Sequence, residues 1–501
     1  MVKYCRKNLG IFIGNKRDEA AIQTFSEIKN KIKSKVSYWN SKHLSRKAKI
    51  KVLNIFILSN LWYALEVHDV PDIILNDIKS ILQTFIWNTF HQRDLNSLTL
   101  PYEEGGLSLQ NIDIKIQALR IRWLARMYCE KNEKNSQKTV INLLIDRIDQ
   151  VSGLKILLYD LSYRRIKHTF YSNSYRIWLA NKITYKPGSL QEIKYDYIYE
   201  NNILRDDENK TFKKLPDYNS VRRMNLIPKF FKDLPLSIPI GGLTESIKRL
   251  IISINRAYFN ITPAEKHIFL IKNEEKETDL LSLNFKETYL IILSKQRFRK
   301  IWEPKWNQKL NRQITKEEWS KIWMIVNHSM INYRVQSSIW EMIHRNFITN
   351  YSLKKMNRSD GICKLCHLIE EDRCHIFTTC NVINSPYRHF SVILLQLYPN
   401  QITNEEKIFG IYIEKTPKIE LRNYITFFIR HTVYRNRNTD FISSDIINTL
   451  RIKIIKAIDS DIISKFNIAK MKRELDKFKN VFLIGEILAK IQENTLISNL
   501  I

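Results

Sequence analysis

Four of the six cysteines in this 501-residue chain fall between positions 363 and 380. Cys363 and Cys366 form a C-x2-C pair, and His375 and Cys380 follow as an H-x4-C pair. A C-x2-C turn places two thiolates on one side of a bend, and a His and a Cys about one helical turn apart supply two more corners of a tetrahedron. The pattern predicts a zinc site held by these four side chains.

Two further donors lie in the same window. Cys374 and His367 leave the exact ligand set open, and Cys374 is also typical of an ordinary buried thiol. The alternative interpretation is that the four residues lie close together by chance and bind no metal. Because four protein ligands leave no open position for water, the predicted Zn²⁺ is structural and not catalytic.

The chain is strongly basic. Lys and Arg number 81 against 51 Asp and Glu, which gives a formal net charge of +30. Such a field favours a polyanionic partner, RNA or DNA, although a lysine-rich, AT-biased coding sequence would give the same balance. A membrane is not predicted as a partner. The longest apolar run, 52–67, is interrupted by polar residues and is shorter than the roughly 20 residues of a membrane-spanning helix.

The compartment is predicted from the first residues and from cysteine usage. The start, MVKYCRKNLG, has no apolar segment of a signal peptide, and six unevenly spaced cysteines do not form a disulfide framework. We therefore expect an intracellular protein, in the nucleus or the cytoplasm.

The fold class follows from composition and periodicity. Only 11 Gly and 12 Pro in 501 residues argue against a turn-rich β-protein and predict a mainly α-helical one. One strand is expected over 9–13. Helices are expected over 18–39, 44–67, 74–85 and 113–130, where apolar residues recur at helical spacing.

Several cations on these helices are candidate phosphate contacts. The segment 44–67 carries Lys47, Lys49 and Lys51. In the segment 113–130, three cations align beside the apolar stripe and predict an exposed basic ridge, for which a merely solvated face is the alternative. These three are Lys115, Arg122 and Arg126.

The second half of the chain has one sharp helix signal. Helical stretches near 138–148, 153–183 and 243–258 are separated by polar loops. Thr315 and Glu318 then form a capping box before an apolar series that begins at Trp319. Further on, aromatics in 421–435 alternate with cations, a pattern that suits single-stranded nucleic acid, although aromatics at helical spacing more often form a helix core. The cations predicted to bind nucleic acid there are Arg430, Arg435 and Arg437.

Ordered motifs give the chain a family resemblance. Tyr4 with Leu9-Gly10 is similar to a Tyr-Leu-Gly stretch. Trp39, Leu44-Ser45 and Lys49 are similar to a W…LS…K pattern. Phe85-Ile86-Trp87 followed by Gly105-Gly106-Leu107 is similar to an "FIW…GGL" signature. Together with the cysteine motif, these resemble the C-terminal part of reverse transcriptases of non-LTR (LINE-type) retrotransposons.

The resemblance implies a domain organisation. It predicts a primer-grip remnant and thumb-like helical domain over 1–132 and a helical connector lobe over 133–312. A reverse-transcriptase-type zinc-binding domain over 313–395 and a C-terminal helical region over 396–501 would follow. It also implies binding of element RNA or target DNA, and association with an upstream reverse-transcriptase core is a possible partnership.

The catalytic carboxylates of a polymerase are not found in the sequence. DNA synthesis needs two metal ions held by palm aspartates, in a Tyr/Phe-x-Asp-Asp hairpin in this family, and Asp206-Asp207 lies in a charged stretch that predicts a solvated loop. No catalytic residue is predicted. The expected function is non-catalytic RNA or DNA binding by a thumb and zinc-binding fragment without its palm, so the chain by itself is not predicted to be an enzyme. The alternatives are a truncated part of an active RNA-directed DNA polymerase and a decayed element product.

Overall fold

A computed structural model of the chain describes residues 5–14, 16–87, 95–128, 169–186, 249, 252–254, 256–257, 268–273, 276–296, 300, 302–437, 445–493 and 495–500. Within these residues the protein is mainly α-helical, which confirms the predicted fold class. The structure does not describe the predicted helix over 138–148 or the Asp206-Asp207 pair. It describes only part of the predicted helices over 153–183 and 243–258.

The α-helices of the first half span Arg17–Asn40, Arg46–Val52, Ser59–Leu65, Asp72–Trp87, Asn96–Thr99, Ile112–Tyr128 and Thr169–Ala180. Those of the second half span Phe285–Ser294, Trp302–Leu310, Lys316–Val326, Tyr333–Ile343, Asn350–Lys354, Asn381–His389, Ser391–Leu397, Asn404–Phe409, Pro417–Asn436, Ile446–Met471 and Leu475–Phe482. Two five-residue π-helical turns cover Leu53–Ile57 and His375–Thr379, and 3-10 turns cover Tyr102–Glu104 and Ile484–Glu486. None of the described helices is long and apolar enough to cross a bilayer.

Short antiparallel strands accompany the helices. Cys5–Asn8 pairs with Ile11–Gly14, and Ala489–Gln492 pairs with Thr495–Ser498. A three-stranded sheet has Ile268–Asn273 in the middle, between Thr184–Lys186 and Lys276–Asp279.

The strand predicted over 9–13 begins later than expected. Leu9 (φ 47°) and Gly10 (φ 85°) form the turn between the first two strands, and Asn8 is paired with Ile11 across it. Two consecutive residues with positive φ are the geometry of the two-residue hairpin turn that matches strand twist. The turn therefore shortens the strand to Ile11–Gly14.

The long helix predicted over 44–67 is interrupted by a π-helical turn. Ser45 caps the helix Arg46–Val52, but the chain then makes the π-helical turn Leu53–Ile57 before a further helix at Ser59–Leu65. Asn54 at that turn donates from Nδ2 to the carbonyl oxygen of Ser108, 2.8 Å away. A π turn changes the rotational phase of a helix, so the buried face is redirected at this point.

Two other helices match their predictions. The helix Asp72–Trp87 buries Ile74, Ile78, Leu82 and Phe85. The capping box before Lys316–Val326 is confirmed: Glu318 N donates to Thr315 Oγ1 (3.2 Å) and Thr315 N donates to Glu318 Oε2 (2.8 Å).

The described residues fall into two compact units. The first draws on residues 1–32, 58–78 and 110–297, and the second on 33–57, 79–109 and 298–501. In the first, Arg120 is buried and donates to Asp69 Oδ1 (2.8 Å) and to the carbonyl oxygen of His68 (3.1 Å).

The core of the second unit is rich in tryptophan. The imidazole of buried His344 has its centroid 3.9 Å from the ring of Trp302, 4.0 Å from that of Trp340 and 5.1 Å from that of Trp323. Large aromatic rings each bury a large apolar area. The three tryptophans around His344 therefore form a substantial part of the core of the second unit.

Candidate metal centre

The first two cysteines lie on a tight loop closed by backbone hydrogen bonds. Ile362 and Glu370 form an antiparallel bridge, and Cys363 N donates to the carbonyl oxygen of Ile369 at 2.9 Å. Within the loop, His367 N donates to Cys363 O (2.9 Å) and His367 has a φ of 53°. This turn orients the thiols of Cys363 and Cys366 toward the same side.

The second pair depends on the π-helical turn His375–Thr379. In a regular α-helix, residues five apart point about 140° away from each other, because each residue turns about 100°. Here Cys380 N donates to the carbonyl oxygen of His375 at 3.0 Å, which is the i→i+5 bond of a π turn. The wider turn brings the side chains of His375 and Cys380 to one side.

The four ligand atoms of Cys363, Cys366, His375 and Cys380 lie within 4.8 Å of one another. Cys363, His375 and Cys380 are buried and Cys366 is half-buried, with its Sγ 3.3 Å from His375 Nε2. Ligand atoms of a tetrahedral zinc site stand roughly 4 Å apart. The donor set and its spacing fit zinc, with Cys363, Cys366, His375 and Cys380 as the ligands and no open position.

The pKa shifts differ among the ligands of the cluster: the hydrogen bond to Cys380 and burial raise the pKa of Cys363, whereas the pKa values of Cys380 and His375 are lowered. The thiol of Cys363 hydrogen-bonds to Cys380 and lowers the pKa of Cys380, and the backbone N–H groups of Ile383 and Val382 add to this effect against the cost of burial. Burial lowers the pKa of His375, although Asp372 opposes it, so the imidazole is neutral at pH 7. A neutral imidazole and a thiolate are the forms that bind a metal, so the shifts at His375 and Cys380 favour binding, and Cys363 would give up its proton to the metal.

The imidazole of His375 is held by two neighbours. Its Nδ1 lies 3.2 Å from Thr379 Oγ1, and its backbone N–H donates to Asp372 Oδ1. A bond at one ring nitrogen fixes the tautomer and aims the other nitrogen at the metal position. Sequence reasoning missed Thr379, although its position four residues after His375 places it on the same side of a helical turn.

The cysteine loop is braced from the helix Asn350–Lys354. Asn350 Nδ2 donates to the carbonyl oxygen of Ile362 (2.8 Å), and Asn350 N donates to Glu371 Oε1 (3.0 Å). Both Asn350 and Glu371 are buried. No local sequence signal marks this pair, because the two residues are brought together only by the fold.

The two spare donors stand apart from the cluster. Neither Cys374 nor His367 belongs to the group of ligand atoms that lie within 4.8 Å of one another. Cys374 is 6% exposed, and burial raises the pKa of its thiol, as for an inert core cysteine. The geometry therefore favours the four-residue set over sets that include Cys374 or His367.

The three lysines predicted to contact phosphates on the segment 44–67 are used within the fold. Lys47 Nζ donates to Asn327 Oδ1 (2.8 Å), Lys49 Nζ donates to the carbonyl oxygen of Phe85 (2.6 Å), and Lys51 Nζ bonds to Tyr333 Oη. Burial lowers the pKa values of Lys47 and Lys49 to about 8. Phosphate contact through them stays a prediction, and these bonds weigh against it.

The predicted exposed ridge on the helix Ile112–Tyr128 is wrong for two of its members, because Lys115 and Arg122 are half-buried. Lys115 Nζ lies 4.5 Å from the ring centroid of Trp62, and Arg122 Nη1 donates to the carbonyl oxygen of Leu280 (2.8 Å). The side chain of Arg126 lies outside the described residues.

The three arginines of the helix Pro417–Asn436 and its end differ in exposure. Arg430 is 1% exposed and bonds to the carbonyl oxygen of Ile408, and Arg437 is 8% exposed and donates to the carbonyl oxygen of Ile348 (2.7 Å). The neighbouring aromatics Tyr424, Phe427 and Phe428 are buried as core. Among these three arginines only Arg435 is exposed.

The aspartates of the helix Ile446–Met471 have partners in the fold. Asp461 accepts from Tyr424 Oη and from Asn332 Nδ2, each at 2.8 Å, and Asp459 accepts from Ser498 Oγ (2.6 Å). Both carboxylates therefore link elements of the second unit.

Comparison with known proteins bears on the same region. Residues 288–386 match the model of a protein family described as zinc-binding in reverse transcriptase. This stretch includes all four clustered ligands and the helices that support them. The chain therefore carries a reverse-transcriptase-associated zinc-binding region. A search of curated protein sequences found no match to the chain.

Proposed function

We propose that the chain binds RNA or DNA as the thumb and zinc-binding portion of a non-LTR retrotransposon reverse transcriptase. One observation carries the proposal: a buried Cys3His cluster lies within a region that matches the zinc-binding family of reverse transcriptases. The net charge of +30 supports a polyanionic partner.

The zinc has a structural role in this proposal. Four protein donors complete a tetrahedron, and the bound metal cross-links the cysteine loop to the π-helical turn. The segment that the metal stabilises then presents a second surface for nucleic acid, in addition to the exposed cations of the second unit. Binding through phosphate contacts gives affinity without sequence choice and a steep salt dependence.

A second candidate is that this binding serves templated DNA synthesis together with a reverse-transcriptase core. The family match favours it, because the family is described by its place in reverse transcriptase. The two candidates share the binding step and differ in whether a polymerase activity accompanies it.

The test is binding of a fluorescent RNA and a fluorescent DNA by the purified chain across a salt titration, with primer extension assayed in the same tubes. Log Kd should rise linearly with log salt concentration. Salt-dependent binding without extension supports a binding portion, and templated extension supports the second candidate. Failure to bind either nucleic acid at low salt would refute both.

A further inference from the structure

A polar cleft in the second unit has no role in the zinc site. It consists of two adjoining depressions of about 530 and 500 Å³ that share the loop 43–45, Arg334 and His431. Its walls include that loop, the helix Tyr333–Ile343, the last turns of the helix Pro417–Asn436 and, in the second depression, the middle of the helix Ile446–Met471. The cleft is therefore an elongated groove, larger than a single small anion requires.

Two arginines of the cleft have no ion-pair partner among the residues that the structure describes. Arg334 and Arg435 are both exposed, and each lines the cleft. Between them His431 is half-buried, with Nδ1 2.7 Å from Ser338 Oγ. Burial, and then the charges of Arg435 and Arg334, lower the pKa of His431 to about 4. Both guanidinium groups therefore lie close enough to influence this imidazole.

The carboxylates of the cleft are already engaged. Glu341 is ion-paired with Arg46, and Asp461 is ion-paired with Lys465 and also accepts from Asn332. Neither carboxylate is thus left to neutralise the two arginines. Lys42 is exposed at the rim and adds a further positive charge to the cleft.

We propose that this cleft binds the phosphodiester backbone of a nucleic-acid chain, with Arg334 and Arg435 as the residues that contact a phosphate. The inference rests on the proposed function and names the surface through which it acts. Guanidinium groups match phosphate oxygens in a bidentate geometry, and a bound phosphate would supply the negative charge that these two arginines lack. Lys42 lines the adjoining depression and offers a third cation to an extended chain.

The ring of Tyr38 lies next to Lys42, which lines the second depression. Tyr38 is 60% exposed, and Lys42 Nζ is 4.9 Å from its ring centroid. An exposed ring beside a basic groove is a platform for an unpaired base. The expected ligand is therefore a single-stranded segment.

The test compares the double substitution Arg334→Gln/Arg435→Gln with the control Lys321→Gln/Lys418→Gln. The control removes the same charge from exposed lysines that do not line the cleft. Binding of a fluorescent single-stranded RNA is measured across a salt titration. The cleft variant should bind about tenfold more weakly or worse at low salt, and its log–log salt slope should fall by about 1 to 2, whereas the control changes little.

Melting temperatures of both variants should equal that of the wild type, since all four side chains are exposed. Arg334→Lys/Arg435→Lys should restore part of the affinity, because it keeps the charge and loses the bidentate geometry. Inorganic phosphate and a mononucleotide serve as competitors. If either competes at the oligonucleotide's affinity, the cleft is a small-anion site and the proposal fails.

The possible results distinguish failure of the cleft as a binding site from failure of the proposed function. Wild-type binding with cleft and control variants indistinguishable would overturn the cleft and leave the proposed function standing. Absence of wild-type binding would overturn the proposed function itself. Stronger binding to duplex than to a single strand, with the cleft variant impaired, would contradict the single-stranded ligand.

Discussion

The carbonyl oxygen of Gly105 accepts a hydrogen bond from the indole Nε1–H of Trp340, 2.7 Å away. His344 Nε2 lies at the same distance from this oxygen. Both partners belong to the tryptophan-rich core and lie within the matched region 288–386. The Gly105-Gly106 motif thus has a structural role in the unit that contains the metal cluster, and residues 79–109 pack in that unit.

Substitution of Gly105 by alanine should destabilise the second unit. Gly105 has a φ of +85°, and a Cβ there would lie 2.6 Å from Trp323. The backbone term alone costs about 1–2 kcal/mol, and overpacking adds about 1–3 kcal/mol. Chemical denaturation of Gly105→Ala measures the sum. Gly10→Ala is the matched control, because Gly10 has the same φ and no atom within 4 Å of its Cβ position. Equal effects of the two substitutions would contradict the packing role.

Loss of the metal ligands should unfold the zinc-binding segment. Cys363→Ser with Cys366→Ser, or chelation, is expected to remove bound zinc and to abolish hydrogen-exchange protection over about 345–390, because the cysteines described there are free thiols and the metal would be the cross-link between the loop and the π turn. The helix Ile112–Tyr128 of the first unit should keep its protection. Cys374→Ser is the control, and it should retain about one zinc ion per chain. Unchanged protection after chelation would show that the segment does not depend on metal.

Stability should fall in mild acid because of His344. Burial lowers the pKa of this imidazole to about 3, against the bond to Gly105 that raises it. The folded state thus keeps His344 neutral while the unfolded state protonates below about 6.5, so stability is present above pH 6.5 and is lost as pH falls toward 3. Each pH unit removes up to about 1.4 kcal/mol. The free energy of unfolding between pH 6.5 and 5 measures this slope. His344→Gln, which keeps a donor to Gly105, should flatten it, and an unaltered slope would exclude His344 as the cause.

Breaking one buried ion pair should be costly. Arg422 is 0% and Glu406 7% exposed, and Nε and Nη2 of the arginine donate to the two carboxylate oxygens at 2.6 and 2.8 Å. Glu406→Ala leaves a buried guanidinium without its counter-charge and should cost about 3–5 kcal/mol. Glu405 is the neighbour of Glu406 on the helix Asn404–Phe409 and forms a partly exposed ion pair with Arg312. Its replacement by alanine should cost about 1 kcal/mol or less. Denaturant midpoints of the two variants make the comparison, and similar values would argue against the buried pair as a stabilising element.

Much of the local structure could be predicted from the sequence. The capping box of Thr315 and Glu318 predicted the start of a helix whose Trp319 and Trp323 are buried. Such features depend on residues three or four apart, whose relation is set by backbone geometry. The same holds for the cysteine motif, since its ligand atoms come from two short turns close in sequence and lie within 4.8 Å of one another.

The roles of individual cations could not be predicted in this way. Lys47, Lys49 and Arg430 have the same charge as Arg334 and Arg435, yet the first three are buried and hydrogen-bonded within the fold. Whether a cation meets solvent or a carbonyl oxygen depends on segments hundreds of residues away, such as Asn327 for Lys47.

The sequence by itself therefore determined the helical fold class, the clustered metal donors and the strong positive charge. These follow from composition and from spacings of a few residues, where the backbone leaves few alternatives. Only the tertiary structure decided which basic side chains are internal and which face a cleft. It also decided that a π-helical turn, where helical spacing alone would point His375 and Cys380 apart, completes the metal cluster. Burying a charge is costly unless it is paired, so the positions of distant partners determine where each cation can lie.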